Sequence, residues 1–94
     1  MNATINGKRY NTEACEVLGS RDAYNNGNYS GCTSLLRANN GALLLHIYSN
    51  GQDIWRNDSL SAWPGDSGIA IDDFKMSEEQ ERRCAELGLI EIID

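Results

Sequence analysis

Residues 65–68 read Gly-Asp-Ser-Gly, a sequence that surrounds the nucleophilic serine of one class of proteases, and the single histidine, His46, precedes them. A serine nucleophile needs a general base, an orienting carboxylate, an oxyanion hole and a substrate cleft. The proteases with this motif build that machinery on two β-barrels, for which a chain of 94 residues is too short. Because Gly-Asp-Ser-Gly is also ordinary turn sequence, we predict a turn here and no enzymatic activity.

The three cysteines are the next candidates for nucleophiles or metal ligands. Cys15, Cys32 and Cys84 lie far apart in the sequence, form no C-x-x-C pair and have only His46 to complete a metal shell. No local signature of a Cys–His dyad flanks any of them. We therefore predict reduced, mostly buried thiols without a catalytic role.

Asp66, Asp72 and Asp73 could offer oxygen ligands to a hard cation. A calcium loop, however, needs a regular D-x-D-x-D spacing and a glycine, and this pattern is absent from the sequence. We therefore predict no metal and no cofactor.

Charge is distributed unevenly along the chain. Residues 51–94 hold eleven carboxylates against four cations, a net charge of −7, whereas residues 1–50 carry +1. A negative field of this kind repels nucleic acid and membrane surfaces and steers a protein toward basic protein surfaces. The alternative is that the acidic surface only keeps the protein soluble.

The basic residues form no stripe that would bind nucleic acid. Lys8 and Arg9 stand alone, and Arg82 and Arg83 are embedded among acidic residues. Nucleic-acid-binding domains cluster such residues on one face, so we predict no direct contact with nucleic acid.

Length and hydropathy indicate one small folded domain over residues 1–94. Apolar residues make up 40% of the chain, which is enough for one modest core. No stretch approaches the roughly 18–20 apolar residues of a membrane span, and the N-terminus has no basic region followed by an apolar one. We predict a cytosolic protein that does not interact with membranes.

Turn signals predict two hairpins. The Asn-Gly pair at positions 6 and 7 suits a type I′ turn within residues 3–10. Residues 38–41, Ala-Asn-Asn-Gly, separate two further runs, 32–37 and 42–49, the second of which is apolar enough to be a central strand.

Two segments near the first hairpin are harder to interpret. Residues 12–18 could form one or two helical turns capped by Thr12, or could continue as a strand. Residues 20–31 are rich in Asn, Gly and Ser, and we expect an exposed loop with two tyrosines.

In the second half, residues 50–68 predict a long, ordered functional loop with Trp55 and Trp63 as its large apolar anchors. One tryptophan should be a buried pin and the other, Trp55, should be available to a partner. Ile69, Ile71 and Phe74 then suggest one more strand.

A capping box predicts one helix near the end of the chain. Ser77 and Gln80 have the S-x-x-Q spacing, and Gly88 suits the position after the helix. The helix should run from residue 78 to about residue 87 and turn Cys84 and Leu87 toward a sheet. The apolar residues that follow should dock as a short strand or an irregular extension.

These elements predict an α+β fold, with a small antiparallel sheet of about four strands and one C-terminal helix packed on a face.

Residues 5–14 read Ile-Asn-Gly-Lys-Arg-Tyr-Asn-Thr-Glu-Ala. They resemble the I-N-G-K-x-Y-D-T-E-x-A opening of a group of short phage and mobile-element proteins, with Asn11 where the group more often has Asp. The resemblance continues in the strands at residues 34–37 and 42–46 and in the Ser-Glu-Glu that caps the acidic helix at residues 77–79.

Some proteins of this kind are anti-CRISPR proteins, non-enzymatic inhibitors that bind Cas effectors or surveillance complexes, often through acidic surfaces. The resemblance implies that this chain acts in the host bacterial cytoplasm, binds a CRISPR-Cas effector protein or complex, and blocks nucleic-acid or subunit docking. The alternative is a small acidic accessory or structural protein of a mobile element. The residues that we expect to contact the partner are Asp53, Trp55, Asp58, Asp66, Asp72 and Asp73.

Overall fold

The computed structural model describes residues 1–25, 27–49 and 57–93, and it shows the predicted α+β fold. A four-stranded antiparallel sheet is accompanied by a separate two-stranded hairpin and one helix. The sheet order is β3-β4-β5-β6, so each strand pairs with its neighbour in sequence. The elements are β1 (Asn2–Ile5), β2 (Lys8–Asn11), β3 (Glu16–Asn25), β4 (Asn28–Arg37), β5 (Leu43–Ser49), β6 (Asn57–Ala62) and α1 (Glu78–Glu86).

Both predicted hairpins are confirmed. In the first, Asn6 and Gly7 adopt positive φ angles of 52° and 79°, as a type I′ turn requires, and they join β1 to β2. In the second, β4 and β5 pair from Arg37↔Leu43 to Gly31↔Ser49.

The segment after the first hairpin combines the two alternatives. A 3₁₀ turn at Thr12–Ala14 is capped by Asn11, whose side-chain oxygen accepts a hydrogen bond from the Glu13 N–H at 3.1 Å. The chain then enters β3, so the cap lies one residue earlier than predicted and the longer helix does not form.

The prediction of an exposed loop at residues 20–31 is wrong. Most of this segment belongs to β3 and β4, which pair along ten residues each and have register shifts at Val17/Gly19 and Ala23/Tyr24. Residues 21–24 are exposed, so the ladder of backbone hydrogen bonds forms there without an apolar face to reveal it in the sequence.

Two predictions in the second half also need correction. Asn57–Ala62 is an edge strand rather than loop, and Leu60 pairs with His46 on β5. The strand predicted around Ile71 is a 3₁₀ turn, Ile71–Asp73, because the Asp73 carboxylate accepts a hydrogen bond from the Ala70 N–H at 2.9 Å and closes the turn. Of the residues in this segment, Lys75 pairs with the sheet through its backbone, by two hydrogen bonds with Ser20 of 2.7 and 3.0 Å.

The predicted helix is confirmed at both ends. The Ser77 hydroxyl accepts from the Gln80 N–H at 3.1 Å, and Gln80 accepts from the Ser77 N–H at 2.8 Å. At the other end Gly88 has a φ of 76°, and the Leu89 N–H donates to the Cys84 carbonyl at 2.9 Å, which is the Schellman arrangement.

The sheet has a different core on each face. Leu18, Leu35 and Leu45 are fully buried on one face, which we call the helix face, because Cys84 of α1 and Phe74 pack there. Partly buried residues complete this core, and they include Leu87 as predicted: Leu43, Ile47, Trp63, Ile69, Ile71, Met76, Leu87, Leu89 and Ile90.

The other face, which we call the hairpin face, is covered at one end by the β1–β2 hairpin. Leu36 and Leu44 pair across β4 and β5 and are buried together with Ala38. Ile5 and Tyr10 of the hairpin pack on this second, smaller core. Because side chains alternate along the strands, the sheet has two apolar faces. The helix and the segment before it cover one face, and the β1–β2 hairpin covers part of the other.

Candidate functional site: an acidic covering layer

The helix face is covered by residues 69–90, which we call the covering layer. Its large apolar side chains pack on the core around Leu18 and Leu45. Its charged side chains remain on the outside and comprise six carboxylates against three cations, a net charge of −3. The exposed acidic residues are Asp72, Asp73, Glu78, Glu79, Glu81 and Glu86.

Two of these carboxylates, Glu78 and Glu86, are paired with arginines of the helix. Arg82 contacts Glu78 at 2.8 Å, four residues away on the helix. Arg83 donates through Nε to both carboxylate oxygens of Glu16, at 3.0 and 3.1 Å, and through Nη1 to Glu86 at 3.1 Å. The hydrogen bond to Glu16, followed by the one to Glu86, raises the pKa of the Arg83 guanidinium.

The remaining carboxylates of the covering layer are exposed and have no cation partner in the described part of the chain. Among the ion pairs of residues 1–25, 27–49 and 57–93, none includes Asp72, Glu79 or Glu81. An unpaired surface carboxylate keeps its hydrogen-bonding capacity for another molecule. These three residues are therefore the ones whose charge is most available to a partner.

A groove of about 500 Å³ runs between the start of β3 and α1. Three carboxylates, Glu16, Glu79 and Glu86, line it together with two cations, Arg82 and Arg83, and with the side chain of Val17, which is 46% exposed. The Gln80 side chain donates to the Val17 carbonyl at 3.3 Å and ties the helix to the strand beside this groove. Because Arg83 already pairs with Glu16 and Glu86, Glu79 is the carboxylate of this groove that has no cation partner among the described residues, and it lies beside the exposed surface of Val17.

The structure distributes the predicted contact residues over different places. Asp72 is exposed in the covering layer, whereas the carboxylate of the neighbouring Asp73 is used to close the 3₁₀ turn. Asp66 is exposed in the turn that follows β6. Asp58 contacts the His46 Nε2 atom, and His46 lies in β5 beside Leu45, so it points to the hairpin face.

The four described aspartates therefore lie on different elements, one in β6, one in the turn after it and two in the 3₁₀ turn of the covering layer. Asp53 and Trp55 lie outside the described residues, and their role as contacts stays a prediction. Trp63 is partly buried rather than fully buried as predicted, and it anchors its segment by packing on the helix-face core and by donating from Nε1–H to the Ile69 carbonyl at 3.1 Å.

Ser67 and His46, the two groups that resembled a hydrolytic site, make structural contacts. The Ser67 hydroxyl donates to the Pro64 carbonyl at 2.6 Å and accepts from the Ile69 N–H at 3.3 Å, within the turn after β6. His46 is paired with Asp58 in the sheet. The Gly-Asp-Ser-Gly sequence thus forms a turn, as predicted.

Sequence reasoning missed Glu79, Glu81 and the groove beside Val17. The helix itself was predicted, and a 100° rotation per residue would have separated the exposed acids from Cys84. The groove could not have been found in this way, because it depends on the start of β3 lying alongside α1, and the sequence left residues 12–18 open between helical turns and a strand.

The described part of the chain contains neither a metal cluster nor a membrane-spanning helix. Across residues 1–25, 27–49 and 57–93, no three His, Cys, Asp or Glu side chains come together as a metal would require. In the same residues no helix has both the length and the apolarity to cross a membrane. Comparison with known protein families, curated proteins and solved structures found no significant match to this chain.

Proposed function

We propose that this protein is a non-enzymatic inhibitor of the anti-CRISPR kind. It binds a CRISPR-Cas effector protein or complex through the acidic covering layer and thereby blocks nucleic-acid or subunit docking. The observation that carries this proposal is the segregation of charge: the covering layer, which packs on one face of the sheet, carries a net charge of −3 on its solvent side.

Charge complementarity supports this kind of partner. Surfaces that grip nucleic acid present Arg and Lys, which form charge-assisted hydrogen bonds with carboxylates as readily as with phosphates. A protein whose carboxylates occupy such a groove competes directly with the nucleic acid, and complementary fields speed the encounter.

The rigidity of the covering layer also supports the proposal. The capping box, the Schellman arrangement and the contact from Gln80 to β3 fix the helix before any partner arrives. A preorganised surface loses little conformational entropy on binding, so more of the interaction energy appears as affinity.

A non-enzymatic mode is consistent with the way the reactive groups are used. The Ser67 hydroxyl is engaged in a turn and His46 in an ion pair with Asp58. Stoichiometric inhibition requires neither group.

The test is a nucleic-acid cleavage or binding assay with purified Cas effectors of several types, each titrated with this protein. We expect one effector to be inhibited at near-equal stoichiometry. The double variant Glu79→Lys/Glu81→Lys should lose inhibition at least about tenfold, since charge reversal creates repulsion on a basic surface.

A matched control is Glu13→Lys/Asp22→Lys, which makes the same change of charge at two exposed acids outside the covering layer. It should inhibit like the wild type. Failure to bind any effector at low salt would favour the alternative, an acidic accessory protein of a mobile element.

A further inference from the structure

The side of the molecule that carries the hairpin contains a cleft with the opposite charge. It has a volume of about 420 Å³ and lies between β2 and the turn that joins β4 to β5. Two cations, Lys8 and Arg9, lie along it. Neither of them takes part in any of the ion pairs found among residues 1–25, 27–49 and 57–93.

The wall of the cleft is largely apolar. Ala38 is 5% exposed, and Cys15 and Tyr10 are partly buried beside it. Burial raises the pKa of the Cys15 thiol, which agrees with an environment that disfavours charge. The Tyr10 hydroxyl accepts from the Asn40 side chain at 3.1 Å and so fixes the rim.

A cleft with an apolar wall and two cations at its rim suits an aliphatic side chain that has a carboxylate next to it. This protein carries such a segment. Glu91, Ile92 and Ile93 follow the covering layer, and all three are exposed. Ile92 is 46% exposed and Ile93 is 81% exposed, although Leu89 and Ile90 just before them pack on the core.

We propose that residues 91–93 of one copy dock in this cleft of a second copy, with the isoleucines on Tyr10, Cys15 and Ala38 and with Glu91 beside Lys8 and Arg9. The protein then forms a dimer held by apolar burial and by complementary charge. The segment does not line the cleft of its own chain, so the contact is made between molecules. This inference is independent of the inhibitory function.

Exposed aliphatic side chains supply the driving force, since removing them from water is favourable in proportion to the apolar area. The contact is small by the standard of stable interfaces, so the dimer should be weak and reversible, with a dissociation constant of about 10 µM to 1 mM. If each copy donates its segment to the other, the interface is the same on both sides and the assembly stops at two chains.

The experiment is sedimentation equilibrium of the full chain over a wide range of concentration. We expect the average mass to rise toward that of two chains. Two variants should each raise the dissociation constant at least about tenfold: Ile92→Ser/Ile93→Ser in the segment and Lys8→Glu/Arg9→Glu in the cleft.

Matched controls separate this contact from general effects of hydrophobicity and charge. Val17→Ser removes an aliphatic side chain with the same 46% exposure as Ile92, and Lys75→Glu reverses an exposed cation elsewhere. Both should associate like the wild type. Thermal melting of each variant establishes that it is folded before its mass is interpreted.

Mixing the two dimer-deficient variants gives the decisive result. The segment variant retains an intact cleft and the cleft variant retains an intact segment, so a mixture should associate through one intact contact and more strongly than either variant does alone. A wild-type chain that stays monomeric throughout, or a mixture that fails to associate, would overturn the proposal.

Discussion

Ser77 is the residue on which the start of α1 depends. Its hydroxyl accepts the Gln80 N–H at 3.1 Å, and no helical carbonyl can replace it there. We expect Ser77→Ala to lower the free energy of unfolding by about 0.5–2 kcal/mol, measured by denaturant titration. The control is Ser61→Ala, an exposed serine on β6, which should change the stability by less than about 0.5 kcal/mol. Equal effects of the two substitutions would show that the cap does not stabilise the helix.

Cys84 makes the stability depend on pH. Its side chain is fully buried, and this burial, followed by the negative charge of Glu16, raises the pKa of the thiol above its ordinary value of 9.0. Folding therefore favours the protonated thiol. Its contribution is fully present below pH 9.0, the value expected in the unfolded chain, and is lost as the pH rises through the higher folded pKa.

Thermal melting as a function of pH tests this effect. The melting temperature of the wild type should fall above pH 9.0 more steeply than that of Cys84→Ala, which has no thiol at this position. The slopes are compared rather than the absolute values, because the alanine also leaves a cavity. Parallel slopes would contradict the assignment.

At the scale of elements, the strands β4 and β5 approach so closely at Gly31 that a side chain cannot be accommodated. A Cβ atom there would overlap the Tyr48 carbonyl oxygen, which belongs to the backbone and cannot move aside. We expect Gly31→Ala to lower the free energy of unfolding by about 2 kcal/mol or more and to disturb the β4–β5 pairing.

Gly7→Ala provides the comparison. Gly7 has a positive φ but nothing within 4 Å of a Cβ, so its substitution should cost only the backbone strain of about 1–2 kcal/mol. A Gly31→Ala variant no less stable than Gly7→Ala would show that the strands separate easily. Denaturant titration measures both.

The elements that could be predicted from the sequence are those determined by local chemistry. Asn6 and Gly7 favour the hairpin turn because both tolerate the positive φ angles that it needs. Ser77 and Gln80 form the capping box of α1 within four residues. The outer half of β3 could not be predicted, because its exposed residues pair through the backbone with β4 and bury no regular apolar pattern.

The candidate site was predicted only in part for the same reason. Asp72 was correctly expected to be exposed, but the sequence does not show that Asp73 closes a turn or that Asp58 meets His46 on the opposite face. Those partners are set by packing between segments that are distant in the chain, which a pattern of neighbouring residues does not encode.

At the scale of the whole molecule, part of the charge asymmetry between the two halves of the sequence becomes an asymmetry between the two faces of the sheet. The covering layer carries −3, whereas residues 1–15 carry two cations against one carboxylate. Because the strands alternate their side chains, the two faces carry separate cores and separate coverings. One molecule can therefore present an acidic surface and a basic cleft at the same time without mutual neutralisation.

This polarity leads to a prediction about association with the effector. If the covering layer is the docking face, Asp72→Lys should reduce the association rate by about 3–10-fold at low salt, whereas Asp22→Lys on β3 should change it little. The melting temperature of Asp72→Lys should remain close to that of the wild type, since Asp72 has no ion pair among the described residues. Asp73→Lys should also lose about 1 kcal/mol of stability, because its carboxylate accepts the Ala70 N–H.

The measurement is stopped-flow or surface-based association kinetics in increasing salt. At 0.1 M salt the screening length falls to about 10 Å, so long-range steering by the covering layer should disappear and the rates of wild type and Asp72→Lys should converge. The dissociation rates should differ much less than the association rates, because an exposed charge acts mainly on the encounter. An association rate that does not respond to salt, or an equal effect of Asp22→Lys, would place the docking face elsewhere on the molecule.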